Sequence, residues 1–184
     1  MAGTAEVITR MARLPGVHYP VLVPNARGLD NLISLLDSNK IHSSAPPPTD
    51  EIAIFAAATD AFSKANTNCT IAESLDRLFT VSERALKHGL RVRGYVSVVI
   101  TCPYSGKVDY SVVRDVTKKL LEMGCYEVSL GDTNGSGTPG SVREMLEVVM
   151  RDAPAQKLAG HVRISLPLFN QKNLDTPSVP RHIR

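Results

Sequence analysis

Cysteine is scarce in this 184-residue chain: three residues, Cys69, Cys102 and Cys125, lie far apart. No C-x-x-C pair exists, which argues against a zinc knuckle or a disulfide framework and for reduced intracellular thiols. Long hydrophobic runs are missing too. Nothing approaches the roughly 20 consecutive apolar residues that a membrane span needs, so no membrane partner is expected. Charge of one sign is also lacking, since 21 Lys and Arg face 18 Asp and Glu for a net charge of +3. The basic residues are scattered among acids, without a cluster interleaved with aromatics, so nucleic acid is not an expected partner. A targeting signal is not readable: "MAGTAEVITRMARLPG" carries Arg10 and Arg13 with Glu6 among them, and reads as a first turn or helix of the domain. The length fits one domain with a single sizeable core.

What is present alternates regularly. "YPVLVPN" (Tyr19 to Asn25) is a short apolar run ended by Pro24 and Asn25, and reads as a strand. "GLDNLISLLDSN" follows with Leu29, Ile33 and Leu36 at helical spacing, and then comes the apolar run Ile52 to Ala57. In "TIAESLDRLFTVSERALKHGL", the clearest helix, Thr70 and Glu73 make a capping box and Gly89 marks the stop. "RVRGYVSVVI" (Arg91 to Ile100) is rich in β-branched residues and reads as a strand. "YSVVRDVTKKLLEMGC" is a helix with Val112, Val116, Leu120 and Met123 on one side. "YEVSL" is the next strand, "GDTNGSGTPG" a loop, and Thr138 with Pro139 opens another helix. "KLAGH" reads as a short buried strand that delivers His161 at its end.

Five strands, apolar on both faces and alternating with helices, imply a parallel sheet under helical cover. Two architectures compete, a doubly wound open sheet and a (β/α)₈ barrel. "GDTNGSG" is a poor match to G-x-G-x-x-G, which weakens the nucleotide-binding form of the first. Two stretches break the rhythm. "SNKIHSSAPPPTD" reads as a polar, proline-rich surface loop. Residues 162–184 have no usable period and read as an irregular, disordered tail after a domain over residues 1–161.

In a barrel, reactive groups stand where strands run out into the following loops. Those positions are Asn25, then Arg93, Tyr95 and Ser97 along one strand, Ser129, Asp132 and Thr133 at the end of the next, and His161. Arg93 sits inside an otherwise apolar strand. It either pairs with an acid such as Asp132 or Glu127, or acts as an anion clamp for a substrate carboxylate or enolate oxygen. Tyr95 and Ser97 share its face by the two-residue period. Asp132 and Thr133 either cap the following helix and shape a glycine turn, or hold a substrate or metal ligands. A lone histidine such as His161 is more often structural than a metal ligand.

These stretches also carry a resemblance. "LPGVHYPVLVPNARGL", "FSKANTNCTIAESL", "VRGYVSVVITCPYSGKV" and above all "MGCYEVSLGDTNGSGTPG" resemble the 3-hydroxy-3-methylglutaryl-CoA lyase family, from Met1 to about His161. The resemblance implies a (β/α)₈ TIM barrel of which this chain is a partial copy, its strands being the third to seventh. It implies retro-Claisen cleavage of 3-hydroxy-3-methylglutaryl-CoA to acetyl-CoA and acetoacetate, with an acyl-CoA substrate and a divalent cofactor, Mg²⁺ or Mn²⁺. A homo-oligomer and a mitochondrial or peroxisomal address are further family implications. Asn25, Arg93, Tyr95, Ser97, Ser129, Asp132 and Thr133 would be substrate-binding or supporting residues, and His161 a metal ligand. The departures matter as much. Where the family reads H-x-H-D, this chain reads "HVRI", with Arg163 and Ile164 at the second histidine and the aspartate. Nothing matches the family's first-strand Arg-Asp pair, second-strand glutamate or glycine-rich cysteine loop. The expectation is an incomplete, inactive copy; the alternatives are a non-catalytic binding module and a related synthase.

Overall fold

The structure, a computed structural model, describes residues 4–14, 16–42 and 47–162. In chain order the elements are α1 (Thr4–Arg10), β1 (Val21–Leu22), α2 (Ala26–His42), β2 (Glu51–Ala57), α3 (Asp60–Thr67), α4 (Ile71–Lys87) and β3 (Arg91–Ser97). A small hairpin, β4 (Thr101–Cys102) and β5 (Gly106–Lys107), precedes α5 (Tyr110–Glu122), β6 (Glu127–Gly131), α6 (Pro139–Val149), a single 3₁₀ turn and β7 (Leu158–His161).

The order of the main sheet is β1-β2-β3-β6-β7, every pair parallel. That order follows the chain without reversal. A doubly wound sheet reverses at a switch point, so the open-sheet alternative falls and a sector of a barrel remains. Right-handed crossovers of constant direction put all the helices on one face. Ile52 and Ile54 of β2, Val92 and Val96 of β3, and Val128 and Leu130 of β6 point to that side and pack in one core with Leu29, Val81, Leu120 and Met145. Gly94 admits the helix layer closely: a Cβ there would meet Cys125 Sγ at 3.2 Å and Leu120 Cδ1 at 3.3 Å.

Local chemistry explains the helix starts. Thr70 accepts from the Glu73 N–H while Glu73 Oε2 accepts from the Thr70 N–H at 2.8 Å, the expected capping box. Thr138 caps α6 with Pro139 in its first turn, and Asp109 caps α5 by accepting from the Ser111 N–H at 2.8 Å.

Several expectations change. The strands are not apolar on both faces: their other, concave face carries Glu51, Arg91, Arg93, Tyr95, Ser97, Glu127 and Ser129. β1 is only two residues long, because Pro24 follows Val23 and Asn25 caps the next helix. α2 starts before Gly28 and runs to His42, so the first part of the expected loop is helical; residues 43–46 of that loop lie outside the described residues. α3 was not expected. Thr59 caps it and Asn68, at φ 52°, ends it. On α5 it is Val113, rather than Val112, that is fully buried. β7 is not a buried strand, since Gly160 and His161 are exposed. Apart from Val162, the expected tail lies outside the described residues.

Candidate functional site

The concave face is laid out in layers by register. Ala53, Arg93 and Glu127 are neighbours in one layer; Phe55, Tyr95, Ser129 and Ala159 form the next. Above them Ala57 pairs with Ser97, and Gly131 with His161. At this upper end, where the strands run out, a cavity of about 540 Å³ is lined by Tyr95, Ser97, Ser129, Asp132, Thr133 and His161 with the adjoining loop backbone. Six of the eight residues singled out from the sequence therefore meet in one place.

Arg93 lies one layer below. Its Nε and Nη2 donate to Glu127 Oε1 at 2.8 and 2.5 Å, and its Nη1 donates to the Tyr95 hydroxyl at 2.8 Å. Of the two acids considered, Glu127 is the partner and Asp132 is not. Burial works against the Arg93 charge, but the hydrogen bond to Glu127 and the Tyr95 contact outweigh it and raise its pKa. Arg93 thus acts on the cavity through Tyr95 rather than as a bare anion clamp.

Asp132 is 5% exposed, and both its carboxylate oxygens are engaged. Oδ1 accepts from the Ser136 N–H at 3.2 Å and Oδ2 from the Gly137 N–H at 2.7 Å. Its own N–H donates to the His161 carbonyl at 3.0 Å, tying the loop to the end of β7. Thr133 Oγ1 accepts from the Val98 N–H at 2.9 Å. Val98 has φ 56°, a left-handed conformation that a β-branched residue rarely adopts, and it ends β3 three residues before the expected Ile100. Both residues of the glycine loop therefore organise backbone, which is the structural half of the earlier alternative.

Asn25 stands apart. Its Oδ1 accepts from the Gly28 N–H at 2.9 Å and starts α2, and it lines a different groove beside α1. A second polar cluster occupies the lower end of the concave face. There the Tyr126 hydroxyl donates to Glu51 Oε1 at 2.8 Å, and the Arg91 guanidinium lies 4.2 Å from the Tyr126 ring centre. Burial first, and Glu51 next, push the Tyr126 pKa up to about 12. At the opposite end from the strand-end loops, this cluster reads as stabilising. Glu127 could have been weighted more heavily from the sequence, since it stands two residues before Ser129 on the same strand face. Val98 could not, because nothing in a β-branched run announces a positive φ.

Among the described residues no group of three His, Cys, Asp or Glu side chains could hold a metal ion. His161 is free to offer an imidazole, but the Asp132 carboxylate is spent on backbone N–H groups. The described residues alone do not fit a divalent cation, which wants near-octahedral, oxygen-rich coordination. Arg163 and Ile164 lie outside them.

The comparisons with known proteins agree with this geometry. A family model described as HMGL-like matches residues 33–163. The chain is 47% identical over 161 residues to the 3-hydroxy-3-isohexenylglutaryl-CoA/hydroxy-methylglutaryl-CoA lyase of Pseudomonas aeruginosa, covering 88% of this chain and 50% of that one. It is 45% identical to the mitochondrial hydroxymethylglutaryl-CoA lyase of Bos taurus, covering 88% and 46%. To the cytoplasmic 3-hydroxy-3-methylglutaryl-CoA lyase of Rattus norvegicus it is 48% identical, covering 88% and 43%. Among solved structures, the hydroxymethylglutaryl-CoA lyase of Pseudomonas aeruginosa superposes with a TM-score of 0.78 at 45% identity, over 88% of this chain and 50% of that one. The HMG-CoA lyase of Brucella melitensis gives 0.79 at 47%, over 88% and 53%. The chain spans about half the length of the relatives it matches.

Proposed function

Because this chain belongs to the HMGL-like family, we propose that it forms the acyl-binding wall of a hydroxymethylglutaryl-CoA lyase. The observation that carries the reading is the cavity in which the ends of β3, β6 and β7 bring Tyr95, Ser97, Ser129, Asp132, Thr133 and His161 together. Its substrate class is a 3-hydroxyglutaryl thioester of CoA, the class in the name of the Pseudomonas aeruginosa relative. The reaction is a retro-Claisen cleavage. The tertiary hydroxyl loses its proton, the C2–C3 bond breaks, and C3 becomes the ketone of acetoacetate. The electron pair stays on the thioester as an enolate, and protonation at C2 gives acetyl-CoA.

In this reading the hydroxyls of Tyr95, Ser97 and Ser129 line the acyl group. Asp132 and Thr133 hold the loop above it, Arg93 stands behind Tyr95, and Asn25 fixes the first strand end through its helix cap. Mg²⁺ or Mn²⁺ is the implied cofactor and would hold the hydroxyl and carboxylate oxygens of the substrate; His161 would offer it one ligand. The compartment that goes with the reading is the mitochondrion, as named for the Bos taurus relative, with a cytoplasmic form as named for the Rattus norvegicus one.

The test is to titrate the 184-residue chain with 3-hydroxy-3-methylglutaryl-CoA and to follow acetoacetate release with Mg²⁺ or Mn²⁺. We expect saturable binding, with acetoacetate at the level of a no-protein blank. Release clearly above the blank would mean that residues beyond the described ones complete the coordination. No binding, or condensation of acetyl-CoA onto a 2-oxo acid instead, would overturn the reading.

A further inference from the structure

The chain holds a single Asn-Gly step, Asn134-Gly135, and the structure places it in the loop after β6, at the rim of the strand-end cavity. Such a step is chemically labile, because glycine has no side chain to hinder attack of its backbone nitrogen on the preceding amide. The turn nonetheless requires glycine: Gly135 has φ 66°, a conformation that disfavours any side chain. Asn134 is exposed, so water reaches the step.

Both reacting groups are tied down. The Gly135 N–H, whose nitrogen would attack, donates to the Asp132 carbonyl at 3.1 Å. The Asn134 amide, which would be attacked, is latched to the β4–β5 hairpin. Its Nδ2 donates to the Thr101 carbonyl at 3.2 Å and to Thr101 Oγ1 at 3.1 Å. Ser136 completes the latch, its hydroxyl sharing a hydrogen bond with Thr101 Oγ1 at 2.5 Å. Three polar side chains thus join two loops that lie 33 to 35 residues apart in sequence. All these side-chain bonds are exposed, and exposed bonds between loops open and reclose far more readily than the core.

We propose that Asn134 is a spontaneous deamidation site, guarded by the Thr101 latch, whose conversion releases the glycine loop over the cavity. With the latch open, the Gly135 nitrogen loses its proton to hydroxide and attacks Asn134 Cγ. The N–Cγ bond forms, the Cγ–Nδ2 bond breaks, and ammonia leaves behind a cyclic succinimide. Water then opens the ring at either carbonyl and gives aspartate or isoaspartate, with no oxidant or reductant taking part. Neither product can re-form the latch as it was. A carboxylate only accepts, so its contact with the Thr101 carbonyl becomes repulsive. Isoaspartate also adds one carbon to the loop backbone. Either product sets a new negative charge beside Asp132 and His161 at the cavity rim. One consequence rests on the lyase reading: that charge opposes entry of an anionic acyl thioester.

The test is to incubate the full 184-residue chain at mildly alkaline pH, with and without urea, and to digest samples briefly with trypsin. The peptide Leu120–Arg143 carries Asn134 as its only side-chain amide, so the mass change from NH2 to OH reports this site alone. Two products of that mass, aspartate and isoaspartate, should separate on chromatography. Conversion should be slower in the native chain than in urea, and about fivefold faster in native Thr101→Val than in the native parent. The two chains should convert equally in urea. Thr101→Ser keeps the hydroxyl and should convert at the parental rate; equal acceleration in both variants would mean a loosened hairpin and would overturn the latch. Asn134→Asp should speed amide hydrogen exchange at Ser136 and Gly137, whose N–H groups Asp132 holds. An unconverted peptide overturns the site, a parental rate in Thr101→Val overturns the latch, and unchanged exchange in Asn134→Asp overturns the loop release. With 3-hydroxy-3-methylglutaryl-CoA, Asn134→Asp should weaken the Kd about fivefold. Absence of binding by the parent removes the lyase reading alone, because mass and exchange decide the proposal without a ligand.

Discussion

At the scale of single residues, Val98 carries the strain of the site. Its side chain is fully buried while its backbone is left-handed, at φ 56°. Those two facts oppose each other in a way mutation can separate. Val98→Ala loses packing and keeps the strain; Val98→Gly loses slightly more packing and relieves it. In ordinary strand positions glycine is the worse choice by roughly 0.5–1 kcal/mol, through its backbone entropy. Here the left-handed backbone reverses the order, and Val98→Gly should unfold at higher denaturant than Val98→Ala by about 1 kcal/mol. The opposite order in urea titrations would mean that the turn is not held left-handed in solution. Cys102 is the other residue with an unusual balance. Burial would push its thiol up, but hydrogen bonds from Ser105, from Thr59 at 3.1 Å and from the Tyr104 N–H bring it down from 9.0 to about 7. A folded pKa below the unfolded one means that the thiolate favours the fold. Its contribution is full above about 9 and lost as pH falls through about 7. The stability of the parent chain relative to Cys102→Ser should therefore rise between pH 7 and 9. Cys125, pushed up to about 12 by burial, works in the other sense and loses its contribution only as pH rises beyond 9.0. A flat difference between parent and Cys102→Ser across pH 7 to 9 would contradict the thiolate assignment.

Elements show which features a sequence can carry openly. The helices α4, α5 and α6 are legible because at least one end of each is written in the sequence: Thr70 with Glu73 and Gly89 for α4, Gly124 after α5, and Thr138 with Pro139 for α6. Missing from the reading was α3, whose cap Thr59 sits among residues that look like the tail of a strand. The strand ends were overextended for a related reason. "RVRGYVSVVI" keeps its β-branched composition through Ile100, but the chain turns at Val98 because the Thr133 hydroxyl takes the Val98 N–H. That bond is 35 residues long in sequence, and local propensity contains no trace of it. The site divides along the same line. Residues delivered by strand period, Tyr95, Ser97 and Ser129, were found together as expected. Residues whose role depends on a remote loop, Asp132 and Thr133, could be placed in the cavity but not assigned between structural and ligand-facing roles. Arg93 lay between these cases: its need for a partner was readable, whereas the choice of Glu127 over Asp132 is settled only by register.

For the whole molecule, the alternation of strands and helices implied a parallel sheet, but it could not choose between open sheet and barrel. The unreversed strand order makes that choice. The same order has a physical consequence. Among the described residues the outer edges of β1 and β7 carry no strand, and a parallel sheet buries both faces when its barrel is closed. Here the concave face is polar at Arg91, Arg93, Glu51 and Glu127, yet it also presents Leu22 at 43% exposed, and Phe55 is only partly covered. Unpaired N–H and C=O groups along an edge are templates for another strand. β1 offers only two residues before Pro24 intervenes, whereas β7 offers four with no proline and no side chain at Gly160. The β7 edge is therefore the stickier one. The 184-residue chain produced alone should self-associate at micromolar concentration, giving a concentration-dependent sedimentation coefficient rather than a single monomer boundary. The His161 carbonyl faces β6, so by alternation the Ala159 groups face β6 as well and those of Gly160 face the open edge. A proline in place of Gly160, where a Cβ meets nothing within 4 Å, would remove an outward N–H and set a steric block there. If edge pairing drives association, Gly160→Pro should shift the distribution towards monomer. A monodisperse monomer with one sharp cooperative unfolding transition, in the parent chain itself, would mean that segments beyond the described residues already cover these edges.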